Sequence, residues 1–326
     1  MKKYIISFIL ITFLSLISHL TLYSWGFFAH KKINRMAVFT LPPGMIGFYK
    51  KHIEYITENA VAPDKRRYAV EGEAEKHYID IDYYGENPFE VMPRRWKDAV
   101  EKYTEDTLRA YGIVPWAIER VVKKLTSAFK EEDFNKILYV SANLGHYVAE
   151  TYVPLHCSMN YNGQLTGQRG IHAFWESRLP ELYSNNYDYF VGKAKYIENP
   201  LDYAWDAIEE SLAAKDSVLL FEAKLNAQYS TDKKYSHVTR GQMLIKTYSE
   251  EYCISYNEML DGMVERKMRG SVLAVGSMWY TAWVNAGKPD LKRLEDREIS
   301  KELKEQMKEG ERMWKTGKPI GRKFHD

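Results

Sequence analysis

Residues 144–157 read LGHYVAETYVPLHC. His146, Glu150 and His156 stand there among residues that are mostly apolar or aromatic. A helix sets positions i and i+4 one turn apart on the same face. His146 and Glu150 therefore form one polar cluster on a helix whose Leu, Tyr and Val residues should be buried. Burying such a cluster is costly unless its members are paired or bound to a metal. A satisfied buried histidine beside a solvated glutamate is the competing reading, and a two-residue motif does not separate the two.

The surrounding sequence is helical in pattern. FNKILYVSANLGHYVAETYV (134–153) contains the stretch, and Pro154 should end or kink that helix. AVEKYTEDTLRAYG (99–112) and PWAIERVVKKLTSAFK (115–130) carry apolar residues at helical spacing, the second with a proline where a first turn accepts one. IHAFWESRLPELY (171–183), DYAWDAIEESLAAKDSVLLFEAKL (202–225) and the segment 242–287 read as further helices, the last as more than one. KHYIDIDYY (76–84) is the one stretch that suggests a strand. The expectation is an all-α, single multi-helix domain, with loops at 39–46, 59–75, 84–94, 158–170 and 228–237. No internal repeat or low-complexity linker divides the chain.

The ends are read by composition. Lys2 and Lys3 precede an apolar run, Tyr4 to Leu22, followed by Ser24. That is the layout of a secretory signal peptide. The expected division is a signal peptide over 1–24, a helical domain over 25–290, and a charged helix and tail over 291–326. Residues 291–326 hold eleven Lys/Arg and eight Asp/Glu with few apolar anchors. Cleavage after Ser24 would leave Trp25 at the new N-terminus of an exported protein. The formal charge of +2 comes from the leader, and a neutral mature chain gives no global argument for nucleic acid or anionic lipid as partner. Nothing calls for an obligate protein partner. Cys157 and Cys253 could pair, but two cysteines make no disulfide framework.

Five of the nine histidines fall near other metal-capable groups: His30, His77, His146, His156 and His172. His172 and Glu176 repeat the spacing of His146 and Glu150. Two such pairs on two helices can face each other across a bundle, the usual way helical bundles build metal sites. Nitrogen and oxygen donors without thiolate suit zinc, and also manganese or iron. The His-Glu-x-x-His motif of zincin peptidases is absent from the sequence. A carboxylate-bridged di-iron bundle would want Glu-x-x-His pairs, whereas the order here is His then Glu at spacing four. Zinc fits better. A free Trp25 amino group and its carbonyl oxygen could also chelate a metal within reach of His30, although Trp25 could equally be a buried anchor.

Taken together, WGFFAH (25–30), APDKRR (62–67), HYID (77–80), HYVAETYVPLH (146–156) and GIHAFWE (170–176) resemble the zinc-dependent phospholipase C and S1/P1 nuclease superfamily. The resemblance runs through most of the first half of the mature chain, and the helical second half agrees in class but carries no motif of that family. It implies an all-α fold around three zinc ions. The first would be held by Asp64, His77, His146 and Glu150, and the second by His156, His172 and Glu176. The third would take the Trp25 amino and carbonyl groups, His30 and the other oxygen of Glu150. The family usually has Asp at that bridging position, one methylene shorter than Glu150.

The implied reaction is hydrolysis of a phosphodiester by a zinc-activated water, with Asp64 either base and orienter of that water or ligand only. The choline-binding members place an acid and aromatics where this chain has Phe28, Lys65 and Ala74, so a choline pocket is not expected. Tyr78 and Asp80 match the residues with which nuclease members stack on and hydrogen-bond a base, and the short Trp25–His30 gap is also nuclease-like. NYNGQLTGQRGIHAFWE (160–176), however, lacks two nuclease segments, and its closing His-xxx-Glu is phospholipase-like. The expectation is an exported zinc phosphodiesterase acting on phospholipid, with single-stranded nucleic acid as the alternative substrate. A non-catalytic helical metal-binding module is the rival from another class.

Overall fold

The computed structural model describes residues 26–67, 70–240 and 243–316. The expected leader and the expected ligand Trp25 lie outside the described residues.

Among the described residues the architecture is all-α except for one antiparallel hairpin. Eight helices position the site: α1 (Phe27–Ala37), α2 (Ala62–Arg66), α3 (Val114–Lys130), α4 (Phe134–Glu150), α5 (Pro200–Asn226), α6 (Glu250–Met259), α7 (Met263–Asn285) and α8 (Lys301–Thr316). Shorter helical turns join them. Helix α4 is apolar nearly all round, the pattern of a helix enclosed on every side, and residues 140–150 are all buried. It packs against α1, α3 and α7. Asp133 caps its start by accepting from Lys136 N (3.1 Å). The helix ends at Glu150, and Pro154 opens the 3-10 turn Pro154–Cys157. Trp116, Trp175, Trp205 and Trp279 are fully buried around this framework.

At Gly145, one residue before His146, α1 approaches α4 closely. Asn34 of α1, itself buried, donates to Ala142 O (3.1 Å), and a Cβ at Gly145 would collide with its Oδ1. Alanine would favour the helix by about 1 kcal/mol, yet overpacking a rigid core costs about 1–3 kcal/mol. Gly145→Ala is therefore expected to lower the thermal midpoint, measurable by calorimetry.

Several segments depart from the sequence expectation, and the expected loops 39–46, 59–75 and 84–94 contain all or part of the helices Pro43–Lys51, Ala62–Arg66 and Pro88–Val91. The proposed helix over 99–112 is two helices, Trp96–Tyr103 and Glu105–Tyr111. Thr104 between them takes a left-handed φ of 67° and its side chain caps the second helix. Residues 76–84 are irregular with a 3-10 turn over Ile81–Tyr84 and form no strand. The strands lie elsewhere: β1 (Tyr235–Arg240) pairs with β2 (Met243–Tyr248), so the stretch expected to open the helices of 242–287 is extended. Helix α6 begins only after Ser249, whose hydroxyl accepts from Tyr252 N (3.3 Å). Toward the C-terminus, Leu291, Leu294 and Leu303 are buried, and α8 is tied to α2 by the Lys65–Glu311 ion pair. Cys157 and Cys253 are both buried.

Candidate metal centre

The end of α4 delivers His146 and Glu150 into the protein interior, both fully buried. Asp64 enters from α2, His77 follows the 3-10 turn Ala74–Lys76, and His156 sits in the turn after α4. His172 and Glu176 come from the continuous helical stretch 171–183, which widens into a π-helix over Phe174–Arg178. Such widened turns are frequent at functional sites. Pro180 has no N–H for the α-helical bond to the Glu176 carbonyl, and the Gly26 N–H reaches that carbonyl at 3.3 Å.

Two buried ligand groups result, Asp64–His77–His146–Glu150 and His156–His172–Glu176, with the ligand atoms of each within 4.8 Å of one another. In the first, His77 Nε2 and His146 Nε2 stand 3.7 and 3.8 Å from Asp64 Oδ1, and His146 Nε2 is 3.0 Å from Glu150 Oε1. In the second, His156 Nε2 and His172 Nε2 are 2.8 Å apart and lie 3.4 and 3.0 Å from Glu176 Oε2. Four ligands at the usual zinc bond length of about 2.0–2.1 Å in a tetrahedron stand ~3.3 Å apart. The observed separations bracket that value. Both Asp64 oxygens and the His77 Nε2 are buried without a hydrogen-bond partner, a costly state that a bound cation would relieve. The donor set fits zinc.

The tautomers are set from behind. His77 Nδ1 faces Glu73 O (2.9 Å), and His146 Nδ1 faces Ala60 O (2.9 Å). Each N–H donated to a carbonyl leaves the Nε2 lone pair aimed at the cluster, the usual outer support of metal-binding histidines. His156 Nδ1 lies 3.0 Å from His77 O and 2.7 Å from Glu150 Oε2. The second oxygen of Glu150 thus goes to His156, rather than to a third site as expected. His30 instead faces the same oxygen as His146, Oε1, at 3.7 Å, and its ring stacks on His146 with centroids 3.9 Å apart.

Electrostatics follow the burial. Burial holds the His30 and His77 imidazoles well below their usual range, with His146 adding to it. Burial lifts the Asp64 carboxyl to about 7, and Glu150 works in the same direction. At His156 burial opposes the charge, but Glu150 and Glu176 outweigh it and raise the imidazole to about 9. A proton is therefore held at His156 below about pH 9 in metal-free protein, and a cation must displace it. Zinc added to metal-free protein at pH 8 should release this proton, readable with an indicator dye in weak buffer. Affinity should rise with pH up to about pH 9 and then level off, and it should rise more steeply below about pH 7, where the Asp64 carboxyl must also lose a proton.

Several residues around the centre carried no signal of their own. The Arg67 guanidinium lies 3.9 Å from Asp64 Oδ1 and is part-exposed. Arg66 bonds Glu73 (3.2 Å), Asn143 (3.2 Å) and Tyr147 (3.4 Å), tying α2, the His77 segment and α4 together. Only the spacing of Arg67, three residues beyond Asp64, could have pointed to its place. Tyr78 and Asp80 are both buried. The Tyr78 hydroxyl donates to Ala110 O (3.3 Å) and Asp80 N donates to Tyr111 O (2.7 Å), so this tyrosine ring has no open face for a base.

Fold and site together define a helical protein with two adjoining buried groups of metal-ligand side chains. No family model matches the chain, and no curated protein is significantly similar to it.

Proposed function

We propose that this chain is an exported zinc-dependent phosphodiesterase of the phospholipase C-like type. The observation that carries the reading is the joining of two groups of metal-capable side chains by the Glu150–His156 contact, which supports two cations held side by side within one buried cluster. Bound zinc supplies a water-derived nucleophile near neutral pH and neutralises charge on phosphoryl oxygens.

The chain's own residues do the rest. Asp64 is the carboxylate positioned to orient the attacking water or to take its proton. Arg67, on the part-exposed side of Asp64, is placed to bind a non-bridging phosphoryl oxygen as its charge grows. Glu150 and His156 hold each other and so keep the two groups in register. Trp25 remains the proposed ligand of a third ion after cleavage of residues 1–24. Its neighbour Gly26 is fixed beside Glu176, where a Cβ would stand 2.6 Å from Ser177 Oγ. The buried Tyr78 ring favours phospholipid over single-stranded nucleic acid as substrate.

The direct test assays purified mature protein on phospholipid, single-stranded DNA and RNA, and a soluble chromogenic phosphodiester, with and without chelator. Hydrolysis that is lost with chelator and restored by zinc supports the reading, and a metal-replete protein inert on all of them overturns it. Arg67→Ala should lower kcat about 100- to 1,000-fold with a smaller change in KM, since its interaction strengthens in the transition state. Arg67→Lys should recover part of the loss. Steady-state kinetics on the chromogenic ester separates the two terms.

A further inference from the structure

The three most exposed large aliphatic side chains among the described residues are Leu244 (69%), Leu165 (66%) and Leu220 (49%). They stand on three elements: Leu244 on β2, Leu165 on the loop 158–170, and Leu220 on α5. One buried carboxylate links all three elements. Glu222 of α5 accepts from Gln168 Nε2 of that loop (2.6 Å) and from Lys234 Nζ at the foot of the hairpin (2.8 Å). Gln168 also donates to Leu219 O (2.8 Å), next to Leu220. The hairpin in turn rests on the helix that carries His172 and Glu176. Tyr248 stacks on Phe174 with centroids 3.9 Å apart and an interplanar angle of 17°.

The described side chains of the hairpin form no apolar core. Val238 and Ile245 are only half-buried, and Lys246 and Leu244 are exposed. Strands of six residues rising about 3.4 Å each carry the far strand ends, Arg240 and Met243, roughly 17–20 Å from the foot. Residues 233–248 contain four basic side chains and no acidic one; Lys234 is paired with Glu222, which leaves Lys233, Arg240 and Lys246 as the remaining basic residues of the hairpin, with Asp232, Glu250 and Glu251 at its foot. Protruding aliphatic groups flanked by lysines complement the surface of an anionic bilayer, where apolar side chains enter the acyl boundary and ammonium groups meet phosphates. A nucleic-acid strand would need open aromatic faces for stacking. The two tyrosines here are occupied, Tyr235 by Lys246 Nζ (3.9 Å from the ring centre) and Tyr248 by Phe174.

We infer that the β1–β2 hairpin, with Leu165 and Leu220 on its flank, is a docking face for an anionic phospholipid bilayer. It holds lipid headgroups beside the His172–Glu176 end of the metal centre; that last step rests on the phosphodiesterase reading, whereas docking does not. The experiment is sedimentation of the zinc-loaded mature protein with vesicles of phosphatidylglycerol and phosphatidylcholine in equal parts, or of phosphatidylcholine alone.

The wild type should partition onto the mixed vesicles and far less onto the neutral ones. The L244D/K246E double variant should bind the mixed vesicles at least tenfold more weakly, and Leu165→Asp several-fold more weakly. Both should keep the wild-type far-UV spectrum and the wild-type rate on the soluble chromogenic diester. Equal partitioning of wild type and both folded variants overturns the inference. So does a wild type that ignores both kinds of vesicle, or one that prefers a single-stranded oligonucleotide. Hairpin-dependent vesicle binding by a protein inert on every diester would leave the docking face standing and remove the enzymatic reading. Hydrolysis of the soluble diester by a protein that ignores vesicles would do the reverse.

Discussion

Replacing His146 with alanine is expected to remove at least one zinc ion from the folded protein and to abolish hydrolysis. His146 is the hub of the first ligand group. Its Nε2 lies 3.0 Å from Glu150 and 3.8 Å from Asp64, its Nδ1 is set by Ala60 O, and its ring stacks on His30. Alanine leaves Asp64, His77 and Glu150 around a gap with one donor fewer. Turnover should fall by at least about 1,000-fold, equivalent to roughly 4 kcal/mol in the barrier. His172→Ala should act in the same way on the second group, because its loss leaves only His156 and Glu176 there. Elemental analysis of protein with a native far-UV spectrum provides the measurement, and wild type should carry two to three zinc ions. His52→Ala is the control. His52 is a half-buried imidazole bonded to Glu295 O (3.0 Å) and belongs to neither ligand group, so zinc content should not change. Only trace metal in well-folded wild type would sink the whole assignment.

Glu150→Gln should have a wider effect, because it reaches both groups. Glu150 touches His146 at 3.0 Å, His30 at 3.7 Å and His156 at 2.7 Å, the last belonging to the second group. Glutamine keeps the volume and removes the charge. Zinc should fall at both sites, whereas His146→Ala spares the second. The variant also tests the proton bookkeeping at His156. Glu150 is the largest influence holding that imidazole up at about 9 against burial, so its neutralisation should lower the value. Less proton should then be released on zinc addition at pH 8. Removing one partner of a buried charge pair typically costs about 3–5 kcal/mol, so metal-free Glu150→Gln should melt well below metal-free wild type. Unchanged zinc content and an unchanged proton count would show that Glu150 does not join the two groups.

The parts of the site that were legible in the sequence are those that local geometry controls. His146 with Glu150, and His172 with Glu176, are i, i+4 pairs, and the helical period alone puts each pair on one face. The helices holding them were legible because their apolar spacing extends over many turns. The strand β2 was not. Six residues, MLIKTY, are too few to distinguish an extended run from the first turns of the helices that follow. The break at Thr104 was hidden for a similar reason: one residue with positive φ, closed by its own side chain, leaves the apolar spacing of its neighbours intact.

By itself the sequence determined a helical chain with two His–Glu pairs, further histidines and Asp64 at scattered positions, and a leader-like start. The tertiary structure alone decided which of these meet. Asp64 comes from the short helix α2 and His77 from the residue after a 3-10 turn, both too short to show a periodicity, and they reach His146 because α2 and the His77 segment are tied to α4 through Arg66, Glu73 and Tyr147. It also decided the orientation of Glu150, whose Oε2 goes to His156, and the fate of Tyr78, packed inward beneath Ala110. The physical reason is common to all of them. Backbone periodicity fixes neighbours within one helix, while contacts between distant segments depend on packing and on buried polar groups finding partners, and neither is written at any single position.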